Sequence, residues 1–442
     1  MSRPLRPLAT HEARISLLAI TVLAPLAGAL AGFVGALFRM VLDRADAIRA
    51  LAILAAHATL PFGPPLLIAA ITGLVAFAAY LVARFSREAS GSGIPHVEAV
   101  LDGAAKPGTA RLLPVKFVGG ALAIGSGLAL GREGPSVQMG ATLAHLVGRW
   151  CRASEADCRM LLAAGAGAGL ATAFNAPIAG AVFVLEELVK RFETRIAIAA
   201  LGASATAIAV VRLMLGDGLI FEVPAIATPP VSSLPAFVLL GAASGLAAVA
   251  YNRGLLATMT LFERASGLHP VLRAAMVGLA VGIVAFVAPG VVGGGDSLTQ
   301  SALSGEGTIG TLVLLFALRF LLGAASYAAG TPGGLFAPML VLGAQLGLAC
   351  GFVAATLFAG LDLDPNGFAL VGMAAFFVGV VRAPLTGIVL VVEMTSNTTL
   401  LVPMLSASFI AMLVPTMIGN PPIYDSLRER AAEATRSAGP RD

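Results

Sequence analysis

Long stretches without a single Asp, Glu, Lys or Arg dominate the chain. They are Ala50–Ala83, Met160–Leu185, Val223–Asn252, Ala274–Gly295, Phe320–Leu361 and Met394–Tyr424. Each is long enough to cross a hydrocarbon core of about 30 Å, which takes about 20 helical residues. The longest, Phe320–Leu361, predicts two passes or several short helices. Ile15–Met40 is a further apolar stretch, broken only by Arg39. It is too long for a signal-peptide core and predicts a retained first helix. The stretches lack the two-residue alternation of barrel strands, and only helices and closed barrels satisfy their backbone in lipid. The pattern therefore predicts an all-α polytopic membrane protein.

Composition sharpens this. The 442 residues are 58% hydrophobic and only 12% charged, with a mean hydropathy of +0.91. A soluble chain carries about 25% charged residues. The balance excludes a soluble enzyme, a nucleic-acid binder and a disordered chain. The net charge of +4 is spread thinly and marks no basic patch. Arg3, Arg6 and Arg14 against Glu12 predict a cytoplasmic N-terminus. Cys151, Cys158 and Cys350 form neither a metal spacing nor a disulfide framework and read as packing residues, with Cys151 and Cys158 spaced to share a helix face. Neither metal nor cofactor is expected.

Glycine (51) and proline (26) interrupt the apolar runs. Gly91-Ser92-Gly93-Ile94-Pro95, Gly131-Arg132-Glu133-Gly134-Pro135 and Thr331-Pro332-Gly333-Gly334 are the sharpest breaks. Broken backbone at membrane depth is tolerable only against protein or an aqueous cavity. Helix starts placed there aim unpaired N–H groups at the midplane, which is how transporters hold anions. The breaks also belong to an internal repeat. Ala176–Glu186 aligns with Ala383–Glu393 at an offset of 207, while Lys116, Gly120, Pro135 and Gly140 align with Arg319, Gly323, Pro338 and Gly343 at 203. Such duplications build sites at the repeat interface. On this register Glu133 faces Phe336.

Glu133 is the leading candidate for chemistry. It lies between two glycines, and Pro135 suits the first turn of a helix. A carboxylate there can occupy an anion's seat and leave it when protonated; the bland alternative is an ion pair with Arg132. Ser92, between two glycines, offers a hydroxyl to an anion or else caps a helix. Gly333–Pro338 is a second glycine-to-helix junction, or a tight packing bend. Glu186 and Glu187 read as a solvated, salt-bridged helix end, although one could turn inward and load protons. Glu393 could instead cap or brace a helix. Tyr424 reads on its own as an aromatic-belt anchor, and His96 as a polar loop residue.

Taken together, Gly91–Pro95, Gly131–Pro135 and Gly334–Pro338 resemble the signature motifs of the CLC family of chloride channels and chloride/proton antiporters. The resemblance covers roughly Ile15 to Leu427. It implies two inverted structural repeats of tilted and broken helices, about 15–215 and 230–427, in a transport domain spanning 15–427 between cytoplasmic tails 1–14 and 428–442. It implies a homodimer with one pathway per subunit. Ser92 and Tyr424 would offer hydroxyls to a central anion, completed by the N–H groups of Leu335 and Phe336. The N–H groups around Arg132, Gly134 and Ala337 would line an outer site. Glu133 would be the extracellular gate and Glu187 the internal proton-transfer residue, with Glu186 and Lys116 as neighbouring support. Channels of the family usually carry an apolar residue at Glu187, so the resemblance implies an antiporter.

The expected function is exchange of about two chloride ions for one proton, a ratio taken from the resemblance and set in the framework of midplane-site transporters. Bromide and nitrate are further candidate anions. The expected place is a bacterial inner membrane, as a multi-pass protein with both termini cytoplasmic and no nucleic-acid partner. A passive voltage- or pH-gated channel of the same fold is the alternative, and a proton-coupled organic-solute permease the alternative of another class. The small hydroxyl-and-amide site argues against the permease.

Overall fold

A computed structural model describes residues 19–264, 268–361 and 363–437. The arginines and Glu12 of the expected N-terminal tail lie outside the described residues. A π-helical turn, Ala19–Leu23, leads into α1 (Ala24–Ala58) and α2 (Gly63–Phe85). Then follow α3 (Ile94–Leu101), α4 (Leu112–Gly125), α5 (Glu133–Trp150), α6 (Glu155–Phe174) and α7 (Pro177–Phe183). A second π turn, Val184–Leu188, connects to α8 (Thr194–Leu215). The second half holds α9 (Leu234–Arg264), α10 (Pro270–Val287), α11 (Asp296–Leu303) and α12 (Ile309–Ala328). It continues with α13 (Phe336–Leu357), α14 (Pro365–Val381), α15 (Pro384–Thr395) and α16 (Leu401–Met417). A last helix, α17 (Ile423–Ser437), follows. Seven of the described helices are long and apolar enough to cross a membrane.

The helix boundaries follow local chemistry. The apolar run Ala50–Ala83 is split where α1 stops and α2 restarts on a proline at its first turn. Phe320–Leu361 makes two helices, broken at Gly330–Gly334. The first helix runs well past Met40, through Asp43, Arg44, Asp46 and Arg49. Arg49 pairs with Asp46 at 2.6 Å and donates to the Gly125 carbonyl at 2.9 Å, so this charged end is braced against α4. Cys151 ends α5 and Cys158 lies on α6, so they do not share a helix face.

Helices α1–α8 recur in order as α9–α16. The two halves are related by a two-fold, as pairs of exchanged contacts show. The Gly131 N–H donates to the Gly334 carbonyl at 2.9 Å, and the Gly334 N–H to the Gly131 carbonyl at 2.7 Å, in antiparallel register. Glu186 accepts from the N–H groups of Leu385 (2.9 Å) and Thr386 (2.6 Å) at the start of α15. Glu393 accepts from Ile178 (3.0 Å) and Ala179 (2.7 Å) at the start of α7. Such reciprocity is what a two-fold axis requires. Glu186 is therefore not a solvated helix end. It neutralises the unpaired N–H groups of its partner helix, and Glu393 returns the favour as the capping expectation held.

The mated helices α6 and α14 form the centre and are buried along nearly their whole length. Glycine permits α14 to pack closely on α13. A Cβ on Gly343 would lie 2.6 Å from the Gly372 carbonyl, and one on Gly372 2.5 Å from the Gly343 carbonyl. Each half also buries one cation against a loop. Lys116 Nζ donates to the carbonyls of Ala89 (3.1 Å) and Gly91 (2.7 Å), ahead of α3. Its repeat mate Arg319 donates to Val291 (2.8 Å), Gly293 (2.7 Å) and Gly294 (2.9 Å), ahead of α11. The two loops turn alike: Gly93 has φ +86° and Gly295 φ +97° just before their helices.

Removing the Arg319 donors strands three carbonyls in a buried loop, and a buried group left unpaired costs about 1–3 kcal/mol. R319M should lower the thermal unfolding midpoint in detergent by several degrees. Circular dichroism against the parent protein checks this, and an unchanged midpoint would deny the loop its staple.

Candidate anion and proton pathway

Three helix starts converge where the halves meet. The α3 start follows Ser92, the α5 start is Arg132-Glu133, and the α13 start is Leu335-Phe336. The loops before them are tied by backbone. Gly91 N–H donates to Thr331 and Gly333 N–H to Gly91, both at 3.0 Å, beside the Gly131–Gly334 pair. Helix starts present unpaired N–H groups and a partial positive charge, which favour an anion.

Two hydroxyls face this convergence. Ser92 and Tyr424 are fully buried, and neither hydroxyl has a hydrogen-bond partner within the protein. Ser92 does not cap α3; Gly93 stands before that helix and no side chain caps it. Tyr424 is no belt anchor either. Its ring stacks on Phe336 with centroids 6.1 Å apart. Phe336 is in turn enclosed by Phe174, Phe183 and Phe377 at 5.9, 5.8 and 4.7 Å. Buried hydroxyls without partners are costly, so these two donors suit an anion held among them. The Ser92 N–H points to the Tyr327 hydroxyl at 3.4 Å, which sequence reasoning missed.

Glu133 occupies the anion-favouring position itself. It is buried, and the Ala337 N–H donates to its carboxylate at 3.4 Å. The ion-pair alternative with Arg132 is not what the side chains do. The Arg132 guanidinium turns to the Ala173 carbonyl (3.2 Å) and to Asp296 (3.7 Å). Gly134 lies against Ser92, where a Cβ would fall 2.6 Å from the Ser92 carbonyl oxygen and closer still to its hydroxyl. His96 lies on α3 rather than in a loop, with Nδ1 3.2 Å from the Gln138 amide nitrogen.

At the opposite mouth Glu187 is buried, unlike its neighbour Glu186. The π turn Val184–Leu188 separates their directions. Glu98 of α3, which sequence reasoning did not single out, is also buried and lies beside Glu187. Polar residues cover both. Lys190 pairs with Asp425 at 2.6 Å, and Arg428 with Asp102 at 2.6 Å and Asp425 at 3.2 Å. Burial opposes the charge of Lys190, but the hydrogen bond to Asp425 and the negative field of Glu98, Glu187 and Asp425 prevail and raise its pKa. The only sequence signal for Glu98 is a carboxylate on a short helix that begins in a glycine motif.

The family model for the voltage gated chloride channel matches residues 74–416. The chain belongs to the CLC family. It is 42% identical to an H(+)/Cl(-) exchange transporter ClcA of Vibrio cholerae over 83% of this chain and 80% of that protein. It is 38% identical to a ClcA of Salmonella arizonae, covering 93% of this chain and 89% of that one. A solved slow cyanobacterial Cl-/H+ antiporter superposes with a TM-score of 0.90 at 34% identity, over 94% of this chain and 98% of that one. The CLC fold thus accounts for the two-fold, the broken helices and the membrane spans.

G134A tests the closeness of the site. Its methyl group must push Ser92 off the convergence, and loss of a hydrogen bond to a charged group costs about 1.5–3 kcal/mol. Chloride binding and efflux in proteoliposomes should fall about tenfold or more on that scale, with the protein still monodisperse in detergent. Efflux at the parent rate would place the anion elsewhere.

Proposed function

We propose that this protein is a chloride/proton antiporter that exchanges about two chloride ions for each proton. The carrying observation is the Glu133 carboxylate seated on the Ala337 N–H, where a helix start favours an anion. Ionised, Glu133 competes with chloride for that seat. Protonated, it loses the attraction and yields. Ser92, Tyr424 and the N–H groups of Leu335 and Phe336 hold the central anion. Those around Arg132, Gly134 and Ala337 hold the outer one. No cationic side chain is required among these donors, so the ion is bound without being trapped. The same donors fit bromide and nitrate.

Glu187 supplies the proton from the opposite mouth. Its burial beside Glu98 favours exchange over passive conduction, which has no need of a buried carboxylate there. Glu186 supports the pathway by fixing α15, and Lys116 by fixing the Ser92 loop. We place the Glu133 mouth outside and the Glu187 mouth in the cytoplasm of a bacterial inner membrane, with both termini cytoplasmic. The basic cluster Lys190, Arg191, Arg195, Arg428 and Arg430 supports that orientation. The transport domain takes residues 15–427 in this reading, with its repeats at about 15–215 and 230–427.

The variants E133A and E187Q separate the two ions. Both should pass chloride while chloride-driven proton movement disappears. Simultaneous chloride-electrode and pH-electrode traces from proteoliposomes decide it. Uphill proton movement in E133A would remove Glu133 as the gate, and a parental proton signal in E187Q would remove Glu187 as the relay.

A homodimer with separate pathways completes the reading. Glu186 and Glu393 are half-buried on a face where Ile178 is 52% exposed, Leu385 59% and Phe409 59%. Carboxylates are costly against lipid, and a second copy would cover them. The site draws all its donors from one chain. Linked dimers carrying E133A in one subunit should therefore keep about half of the coupled proton movement; complete loss would mean a shared path.

A further inference from the structure

Asp296 stands at the first position of α11, outside the glycine motifs that begin α3, α5 and α13. Its repeat mate, at an offset of 202, is the buried Ile94 of α3. The carboxylate is thus absent from the first half and belongs to this half alone. It is 57% exposed at the Glu133 mouth, and its Oδ2 lies 3.7 Å from Nη1 of Arg132, itself only 13% exposed.

Both partners are held in place. Arg132 is anchored through Nε to the Ala173 carbonyl at 3.2 Å. Asp296 follows the loop whose carbonyls accept three hydrogen bonds from Arg319. That loop is further tied by the Gly293 N–H to Gly127 at 2.8 Å. Exposed ion pairs usually contribute little because two floppy side chains must be ordered. Here the backbone has done much of that ordering, and one partner is largely withdrawn from water, where charges are felt further. Arg132 is also the residue immediately before Glu133.

We propose that Asp296 is a positioning residue for the Glu133 gate, holding the Arg132 guanidinium at the mouth and dividing its positive charge between the two carboxylates. This rests on the reading of Glu133 as the gate. With Asp296 ionised, Arg132 spends part of its field outward, and Glu133 takes a proton and leaves its seat more readily. With Asp296 neutralised, the guanidinium favours the ionised, seated Glu133. The other charges in range of Asp296 are Arg39 and Asp46 on α1, Glu133 on α5 and Arg319 on α12. Arg39 and Arg319 partly balance it, while Asp46 and Glu133 share its sign. Asp296 is the one that meets Arg132 in an ion pair.

The test is the pH dependence of chloride efflux from proteoliposomes with matched pH on both sides. D296N should move the half-maximal pH about half a unit to the acid side, since loss of a nearby negative charge favours an ionised carboxylate. Efflux at saturating acid should stay within about twofold of the parent by the same argument. D296S, uncharged and of different shape, should shift alike, and D296E should restore the parental profile. In an R132Q background D296N should shift the profile less than it does in the parent, as expected for a coupled pair. Asp296 acting only as a helix-start acid would change stability and leave the profile in place. Unchanged profiles in both D296N and D296S, or shifts toward alkaline pH, overturn the proposal. E133A run in parallel separates the two readings. If it still moves protons uphill, the gate itself falls and this inference with it.

Discussion

Two hydrogen bonds between Gly131 and Gly334 hold the centre of this molecule. Helices that begin within a membrane leave N–H groups that lipid cannot satisfy. Pairing the two junctions to each other satisfies part of that demand and brings two helix starts to one point. The approach leaves no room for a side chain. A Cβ on Gly334 would lie 2.9 Å from the Gly134 nitrogen, and one on Gly131 would run into the Glu133 carboxylate. The remaining N–H groups at that point then favour an anion, and the repeat interface becomes the site because the repeats must meet there.

Symmetry supplies the scaffold, and departures from it supply the chemistry. Lys116 and Arg319 staple equivalent loops, and Glu186 and Glu393 exchange equivalent caps. At the start of α5 stands a carboxylate and at the start of α13 a phenyl ring, Glu133 against Phe336. One is a tethered anion, and the other walls the site with four aromatic neighbours, Tyr424 among them. At the short helices the assignment is reversed, with apolar Ile94 in the first half and Asp296 in the second.

The fold was legible because its causes are local in sequence. Charge-free runs mark most of the spans, although Thr194–Leu215 falls in none of them. The described residues Met160–Leu185 and Met394–Tyr424 hold no span-length apolar helix. Glycine–proline breaks mark the helix starts. Glu133 could be read for the same reason, since its two glycines and Pro135 announce a helix start. Glu186 and Glu187 could not be told apart by local pattern, only by the family resemblance. They are neighbours with opposite surroundings, and what separates them is one wider turn, seen in the Val189 N–H reaching back to Val184 at 2.9 Å. Tyr424 resembled a surface anchor because its position beside a charged tail is polar in sequence, while its partner Phe336 is 88 residues away. Glu98 and Asp296 left almost no signal. Each matters through residues of another helix, and no periodicity encodes such a meeting.

The choice of donors bears on why a carboxylate can serve as both gate and proton carrier. A lysine or arginine inside the convergence would bind chloride strongly and would also hold Glu133 ionised in its seat. The two buried cations nearest in role avoid this. Lys116 and Arg319 spend their hydrogen bonds on loop carbonyls, and Arg132 turns its guanidinium to Ala173 and Asp296. What remains for the anion is N–H and O–H dipoles, which attract a full negative charge and have little hold on a neutral acid. In the proposed cycle that contrast is the coupling itself. A proton arriving at Glu133 cancels the one charge that lets the side chain compete with chloride, so the seat changes hands without any cation having to move.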